Sequence, residues 1–302
     1  MARDLRVAGP MRGLLLVLLG VGCGATRAPP QPVREPSNLI DGETYATRIA
    51  GLRATLARNQ VAIDTQPVIE TCAGDHYPGG ARSRCVRCEV ASRENTGGVD
   101  PTLIDGVAIA FGLYPPALIK ASGLAHVALC RTIRIQGEPD ERAPAGIAIS
   151  GQHRLLISVE HFVDGATISE DFTIEQVVHH EVFHLFDHAT SGTSAGTDRA
   201  WAALNPRGFE YKDPAAAEGA RPTGFVNPYA TTNEREDRAS VFEYLLGQPT
   251  KLCEIAKVDP AVAAKTTAVW KRVAKVVGDK LLRQHAPCVD WIGKRAKRSR
   301  HR

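Results

Sequence analysis

The spacing of apolar residues along the chain predicts helices first, then strands, then helices again. The segment DGETYATRIAGLRATLARNQ has the periodicity of an amphipathic helix beginning near Gly42, and residues 101–123 predict helical turns interrupted at Pro115 and Pro116. Next, HVALCRTIRI alternates between apolar and polar positions, which predicts a β-strand with one apolar face. That face would consist of Val127, Leu129, Ile133 and Ile135.

A hairpin and a capped helix follow. The segments AGIAIS and HRLLISV predict two antiparallel strands joined through Gly151 and Gln152, with glycine first in the turn. Thr173 and Gln176 then form a T-x-x-Q capping box, which marks the start of a helix. These elements predict an α+β fold in which a small, partly antiparallel sheet packs on this helix. A mostly helical C-terminal part follows.

The capped helix, TIEQVVHHEVFHLFDH, carries candidate metal ligands. His180 and His184 are one turn apart, so they lie on one face and two such imidazoles can share one metal ion. With Glu181 they spell H-E-V-F-H, the helical motif in which the histidines bind zinc and the glutamate acts as general base. The alternative is a polar helix face with incidental histidines. His179 is turned away from this pair, and for His188 we expect a surface position near the helix end rather than a supporting role.

A hydrolytic zinc site needs a third protein ligand. The metzincin pattern would continue with glycine and histidine, but this chain has Asp187 and Thr190 at those positions. Asp198 lacks the spacing of aspartate-type sites. Glu236 is the better candidate, because a helix beginning near Asn233 would carry it in its first turn. The alternative role for Glu236 is to cap that helix.

Two segments of this sequence resemble the lethal-factor-like zinc endopeptidases. HHEVFH is similar to their zinc helix, and YATTNERED matches their Tyr-x-x-Thr-Asn-x-x-Glu segment position by position. The resemblance implies that His180, His184 and Glu236 bind Zn²⁺ and that Glu181 is the catalytic base. It also implies that the hydroxyl of Tyr229 steadies the oxyanion, although a packing role is the alternative for this tyrosine.

The resemblance extends over about residues 101–247 and implies a zincin-like fold and hydrolysis of peptide bonds in a protein or peptide substrate. One position departs from it: Ser240 stands where the family usually has a glutamate that supports the site. Losing such a carboxylate costs roughly tenfold or more in metal affinity or activity. Asp237 and Asp187 are candidate substitutes. The alternative function is therefore a catalytically impaired lipoprotein of the same fold that acts as a binding or structural module.

The surroundings of the site suggest two further roles. The segment from Trp201 to Pro228 is rich in glycine and proline, which predicts a loop beside the cleft. Its aromatic residues would line substrate pockets or, as we favour, anchor the loop to the core: Trp201, Phe209 and Tyr211. The strand HRLLISV is our candidate for an exposed sheet edge along which an extended substrate would lie.

The N-terminus predicts export. Residues 1–22 have a basic start and an apolar run from Leu14 to Val21, as a signal peptide does. The run ends in GVGC, which resembles a bacterial lipoprotein signal and implies a lipid anchor to the membrane on Cys23. Because Gly20 stands where leucine is usual, ordinary cleavage and a periplasmic or secreted protein are the alternative. Residues 23–38 would form a proline-rich tether.

Export also guides the interpretation of the cysteines in the predicted domain, residues 39–293. Without Cys23, six of the seven cysteines remain, and an oxidising compartment favours three disulfides. We predict a bridge between Cys253 and Cys288, which flank a C-terminal helical segment; the other pairings stay open. The alternative is a structural zinc in the cysteine-rich N-terminal part, held by Cys72, His76, Cys85 and Cys88.

Charge argues against nucleic acid as the main partner. Three arginines and one aspartate give residues 1–22 a charge of +2, and the basic tail, residues 294–302, adds +6, so the formal +4 of the chain leaves −4 for the residues between. The tail would contact anionic lipid or, as we favour, form a solvated end. Hydrophobic residues make up 43% of the chain, enough for a sizeable core. Nothing in the sequence indicates an oligomeric state.

Overall fold

The computed structural model describes residues 42–72, 85–92, 101–137, 143–159, 173–191, 198–211 and 221–286, together with Cys288 and Ile292. The predicted signal peptide, the lipidation site Cys23, the tether and the basic tail lie outside the described residues. In chain order the helices are α1 (Gly42–Ala57), α2 (Pro101–Leu113), α3 (Pro116–Ser122), α4 (Ile174–Ser191), α5 (Arg199–Ala202), α6 (Glu234–Gly247), α7 (Pro249–Val258), α8 (Pro260–Val277) and α9 (Asp279–His285). The strands are β1 (Ala62–Ile63), β2 (Val68–Thr71), β3 (Val86–Val90), β4 (His126–Ile135), β5 (Gly146–Ile149) and β6 (Arg154–Ser158).

The predicted helices form close to where their local signals placed them. Helix α1 begins at Gly42, and the break between α2 and α3 falls at Tyr114 and Pro115, so that Pro116 begins α3. Gly123 ends α3 in the left-handed conformation, which glycine adopts without steric cost. Among the described helices, no single one is long and apolar enough to cross a membrane; α2 and α3 reach that hydropathy only as a pair bent by 99°.

The six strands form one mixed sheet, so the predicted α+β class is confirmed. The order is β2-β3-β4-β6-β5, with the short β1 parallel to the start of β4. Strands β5 and β6 are antiparallel, as the hairpin prediction requires, but Ser150 to His153 connect them and the positive φ falls on His153. Strand β6 lies between β4 and β5, so the prediction that HRLLISV forms an exposed edge is wrong. The edge strand on this side is β5.

The apolar side chains in the two halves of strand β4 point to opposite faces of the sheet. Val127 and Leu129 belong to the main core, whereas Ile133 and Ile135 belong to a second cluster on the other face of the sheet. The cause is a bulge: Val90 pairs with Cys130 and Glu89 with Thr132, so β4 contains one extra residue opposite β3. One extra residue reverses the alternation of all that follow. The prediction of a single apolar face for these four residues is therefore wrong.

The main core lies between the sheet and the helices. Helix α4 contributes most of its apolar residues to this core and packs against α6, α3, α2 and β5. Phe183 of α4 stacks on Phe242 of α6, with ring centroids 4.9 Å apart. Packing of α4 against α6 brings the predicted zinc helix beside the helix that carries Glu236.

Three disulfides link the six cysteines of the domain, consistent with an extracellular or periplasmic protein. Cys253 is bonded to Cys288, which confirms that prediction. The alternative of a structural zinc in the cysteine-rich part is wrong, because Cys72 is bonded to Cys85 and Cys88 to Cys130. His76 lies outside the described residues.

Candidate metal centre

The first turn of α4 is held by the predicted capping box. The backbone N–H of Thr173 donates to Oε1 of Gln176 at 2.9 Å, and the N–H of Gln176 donates to Oγ1 of Thr173 at 3.4 Å. Two N–H groups at the helix start are thereby satisfied, which fixes where the helical periodicity begins. His180 and His184 lie about one and two helical turns after Gln176.

His180 and His184 lie on one face of α4, as the spacing predicts. Both are buried, and their ring centroids are 4.8 Å apart. Ligand atoms of His180, Glu181 and His184 all lie within 4.8 Å of one another, close enough to hold one metal ion. This group could therefore bind a metal ion.

Glu236 reaches the same point from α6. Asn233 caps that helix by accepting hydrogen bonds from the N–H groups of Arg235 and Glu236, at 2.9 and 3.1 Å. The Glu236 carboxylate does not turn back to the cap. Its Oε2 accepts from Nε2 of His180 at 2.8 Å and from Nε2 of His184 at 3.2 Å. One oxygen of a buried carboxylate thus meets the Nε2 atoms of both histidines.

The electrostatics of this group are those of a closely coupled acid and base. Burial raises the pKa of Glu236, but the charge of His184 and the hydrogen bonds from both histidines outweigh burial and hold that pKa well below its usual range. Burial lowers the pKa of His180, but hydrogen bonds to Glu236 and Glu243 raise it well above its usual value. The site therefore favours an ionised Glu236 carboxylate and a positively charged His180 imidazole.

Glu243 is a functional candidate that the sequence analysis missed. Its Oε2 accepts a hydrogen bond from Nδ1 of His180 at 3.0 Å, and its Oε1 accepts one from Nε2 of Gln176 at 3.0 Å. Glu243 follows Glu236 by seven residues, nearly two helical turns, so both carboxylates lie on the face of α6 that meets α4. This spacing is present in the sequence, but the family resemblance directs attention to the position one turn after Glu236, which is Ser240.

The two candidate substitutes for the missing carboxylate have other partners. Oδ2 of Asp187 lies 3.0 Å from both Nε and Nη2 of Arg238, and its other oxygen pairs with Arg272. Oδ2 of Asp237 pairs with Lys265 at 2.7 Å. These ion pairs fasten the ends of α4 and α6 to neighbouring elements. Within the described residues, neither aspartate hydrogen-bonds His180 or His184.

Glu181 lies against the edge strand of the sheet. A Cβ atom at Gly146 of β5 would come within 2.8 Å of Cγ of Glu181 and 2.6 Å of Cγ1 of Val177, so only glycine lets the strand approach so closely. The backbone of Ala148 hydrogen-bonds the Glu181 carboxylate. Burial raises the pKa of Glu181, and the charges of His184 and His180 and this hydrogen bond partly offset the rise.

Tyr229 lies on the solvent-exposed side of His180. It begins a 3₁₀ turn that extends to Thr231, just before α6. Its ring centroid is 5.8 Å from that of His180, and the residue is 49% exposed. The tyrosine is therefore beside the candidate ligands and open to solvent, a position from which it could contact a bound molecule.

The remaining candidates lie apart from this group. Asp198 is exposed and caps α5 by accepting hydrogen bonds from the N–H groups of Ala200 and Trp201, and it is not grouped with His180 and His184. His179 is buried, with Nδ1 at 2.5 Å from the hydroxyl of Tyr114, and burial lowers its pKa to about 3. His188 is partly buried in the last turn of α4.

The aromatic residues of the loop anchor it to the core, as we favoured. Nε1 of Trp201 donates to Oδ2 of Asp237 at 2.9 Å, and the hydroxyl of Tyr211 donates to the same oxygen at 2.8 Å. The ring of Phe209 packs on that of Phe225 with centroids 4.4 Å apart. The described part of the loop is thus fixed to the residue that follows Glu236 in the chain.

Comparison with known protein families, with characterised proteins and with solved structures finds no significant match to this chain. A function must therefore be argued from the chemistry of the group itself.

Proposed function

We propose that the protein is an exported zinc-dependent endopeptidase, with His180, His184 and Glu236 as the metal ligands. The observation that carries this proposal is the position of Oε2 of Glu236, within 2.8 and 3.2 Å of the Nε2 atoms of the two histidines. Two imidazole nitrogens and one carboxylate oxygen are a common ligand set of hydrolytic zinc, which keeps a further position open. Glu181 fits the third-ligand role less well than Glu236, because a single Glu236 oxygen meets both Nε2 atoms.

The residues around the ligands have the properties that peptide hydrolysis needs. Zinc bound at these ligands would supply a Lewis acid and lower the pKa of water. Glu181 would accept the proton of the attacking water and pass it to the leaving amine, because it directly follows His180 and its raised pKa brings it closer to neutral pH. Tyr229 would donate its hydroxyl proton in a hydrogen bond to the developing oxyanion.

The substrate class follows from the neighbouring strand. Strand β5 ends the described sheet on this side, and its residue Ala148 hydrogen-bonds Glu181. An extended peptide added along β5 would place a backbone carbonyl beside Glu181 and the ligands. We therefore infer that the substrate is an unfolded or extended segment of an envelope or extracellular protein. The predicted signal peptide and the three disulfides support this location.

The test compares zinc-loaded wild type with Glu181→Gln on unfolded proteins and on a library of extended peptides. Glutamine keeps the size and much of the hydrogen bonding of Glu181 but cannot take up the proton. We expect the variant to keep zinc and peptide binding while turnover falls by several orders of magnitude. Equal inertness of both proteins, with peptide binding retained, would instead favour a binding lipoprotein. If wild type is active, mapping of new protein termini after adding the enzyme identifies the substrate.

A further inference from the structure

We propose that Glu243 and Gln176 act as a positioning pair that holds His180 ready for the metal, in place of the carboxylate missing at Ser240. The inference rests on the metal site of the proposed function. Nδ1 of His180 lies 3.0 Å from Oε2 of Glu243, and a carboxylate can only accept a hydrogen bond from it. Nδ1 therefore carries a hydrogen, and once the Nε2 hydrogen that bonds Glu236 is released, the neutral imidazole would present the lone pair of Nε2 to a metal ion.

Gln176 fixes Glu243 in turn, and both ends of its side-chain amide have a partner. Its Nε2 donates to Oε1 of Glu243 at 3.0 Å, while its Oε1 accepts the N–H of Thr173 at 2.9 Å. These contacts leave one orientation for the amide. Both oxygens of Glu243 thus have a donor, which a buried carboxylate requires. The chain of contacts runs from the start of α4 through α6 and back to α4.

Space for this arrangement comes from a glycine in α6. A Cβ atom at Gly247 would lie 3.0 Å from Cγ of Gln176 and 3.5 Å from Cδ2 of His179. The absence of a side chain lets Gln176 lie against α6 and reach Glu243. Ser240, one turn after Glu236, is buried, and its hydroxyl has no hydrogen-bond partner among the described residues. It therefore does not replace the carboxylate.

The second histidine is held differently. Nδ1 of His184 is buried, and no residue in the described ranges hydrogen-bonds it. Of the two candidate histidine ligands, His180 is thus the one whose Nδ1 bonds a carboxylate in the described part of the chain. The metal affinity should accordingly be sensitive to Glu243 and Gln176.

The experiment measures zinc affinity by competition with a chelator, and the visible spectrum of the Co²⁺-substituted protein, for four variants. Glu243→Ala should lose roughly 10–100-fold in zinc affinity and change the Co²⁺ spectrum. Glu243→Gln should lose less, because its amide oxygen can still accept from His180, although its NH2 group cannot accept from Gln176. Gln176→Ala should also weaken zinc binding, because Glu243 loses its second donor.

The matched control is Thr173→Ala. It removes the hydroxyl that caps α4 but leaves both side-chain contacts of Gln176, so it should lower the Tm of the zinc-free protein without changing zinc affinity or the Co²⁺ spectrum. Wild-type affinity and spectrum in Glu243→Gln and in a folded Glu243→Ala would overturn the inference, as would an equal loss of affinity in Thr173→Ala and Gln176→Ala. A wild-type protein that binds no zinc would overturn the proposed function itself, which distinguishes the two failures.

Discussion

Oδ2 of Asp237 lies 2.7 Å from Nζ of Lys265, and both side chains are wholly buried. Lys265 also donates to the backbone oxygen of Gly224 at 2.8 Å, and its ammonium lies 3.6 Å from the centre of the Phe225 ring. Because Asp237 follows Glu236 in the chain, this pair connects the helix that carries Glu236, α6, with α8 and with the loop. Burial raises the pKa of Asp237 and lowers that of Lys265, and the charge of each offsets part of the other's shift.

Removing one partner of this pair should destabilise the protein strongly. We expect Lys265→Met to lower the free energy of unfolding by about 3–5 kcal/mol, because Asp237 would be left buried without its cation. Urea denaturation measures the change. The double variant Asp237→Asn/Lys265→Met should lose less than the sum of the two single variants, and a strictly additive result would show that the two charges do not interact.

Loss of the candidate third ligand should abolish tight zinc binding. Glu236→Ala should lower zinc affinity by more than the roughly 10–100-fold that loss of an outer hydrogen-bonding partner costs. Competition with a chelator measures it. Asp198→Ala is the matched control, because it removes an exposed carboxylate that caps α5, and it should keep wild-type affinity. If instead Asp198→Ala weakens binding and Glu236→Ala does not, the ligand assignment is wrong.

Tyr229→Phe should affect turnover more than binding. The ring beside His180 is kept and only the hydroxyl is lost, so we expect kcat to fall by about ten- to a thousandfold with zinc affinity unchanged. Steady-state kinetics on an extended peptide, with zinc content measured on the same sample, test this. An unchanged kcat would assign Tyr229 a packing role.

The Cys253–Cys288 bridge should stabilise the folded protein by lowering the conformational entropy of the unfolded chain. It joins residues 35 apart in sequence, and for a loop of this length the chain-entropy model gives about 3–4 kcal/mol. The double variant Cys253→Ala/Cys288→Ala should lose stability of this order in urea denaturation under oxidising conditions. Under conditions that reduce the bridge, the difference between the two proteins should shrink, and a difference that persists unchanged would point to packing of the sulfur atoms instead.

His179 should make the zinc-free protein less stable as pH falls below neutral. Its pKa is about 3 in the folded protein and about 6.5 in an unfolded chain, so below pH 6.5 the unfolded state binds the extra proton. The stability associated with neutral His179 is complete above pH 6.5 and is lost as pH falls from 6.5 towards 3. Between pH 7 and 5 this residue should cost roughly 2 kcal/mol.

The comparison is between wild type and His179→Gln, unfolded in urea at pH 7 and pH 5 in the presence of EDTA. Glutamine can hydrogen-bond the hydroxyl of Tyr114 but does not titrate, so the variant should lose less stability between the two pH values. Parallel losses in both proteins would show that other groups cause the pH dependence.

Much of the site follows from local rules. The helix start at Thr173 depends on residues three apart, and the facing positions of His180 and His184 depend only on the helical repeat. The start of α6 at Asn233 depends on the same kind of local cap. Features decided by contacts within a few residues could therefore be predicted from the sequence.

The features that we missed depend on distant pairings. The reversal of β4 comes from its bulge opposite β3, about 40 residues earlier in the chain, and the edge position of β5 depends on the order of strands. Glu243 is recognisable as a partner of His180 only once α6 is packed on α4. The periodicity of a single segment does not indicate which distant segment it will pair or pack with.

Gly146 also bears on how the sheet finds its register during folding. A slip of β5 by two residues along β6 would keep the same side chains facing α4, so the apolar pattern alone does not exclude it. Such a slip would place Ala148 or Pro144 where Gly146 now lies, and any Cβ there would collide with Val177 and Glu181. The missing side chain therefore penalises the misaligned hairpin, so that the correctly paired sheet and the position of Glu181 are selected together.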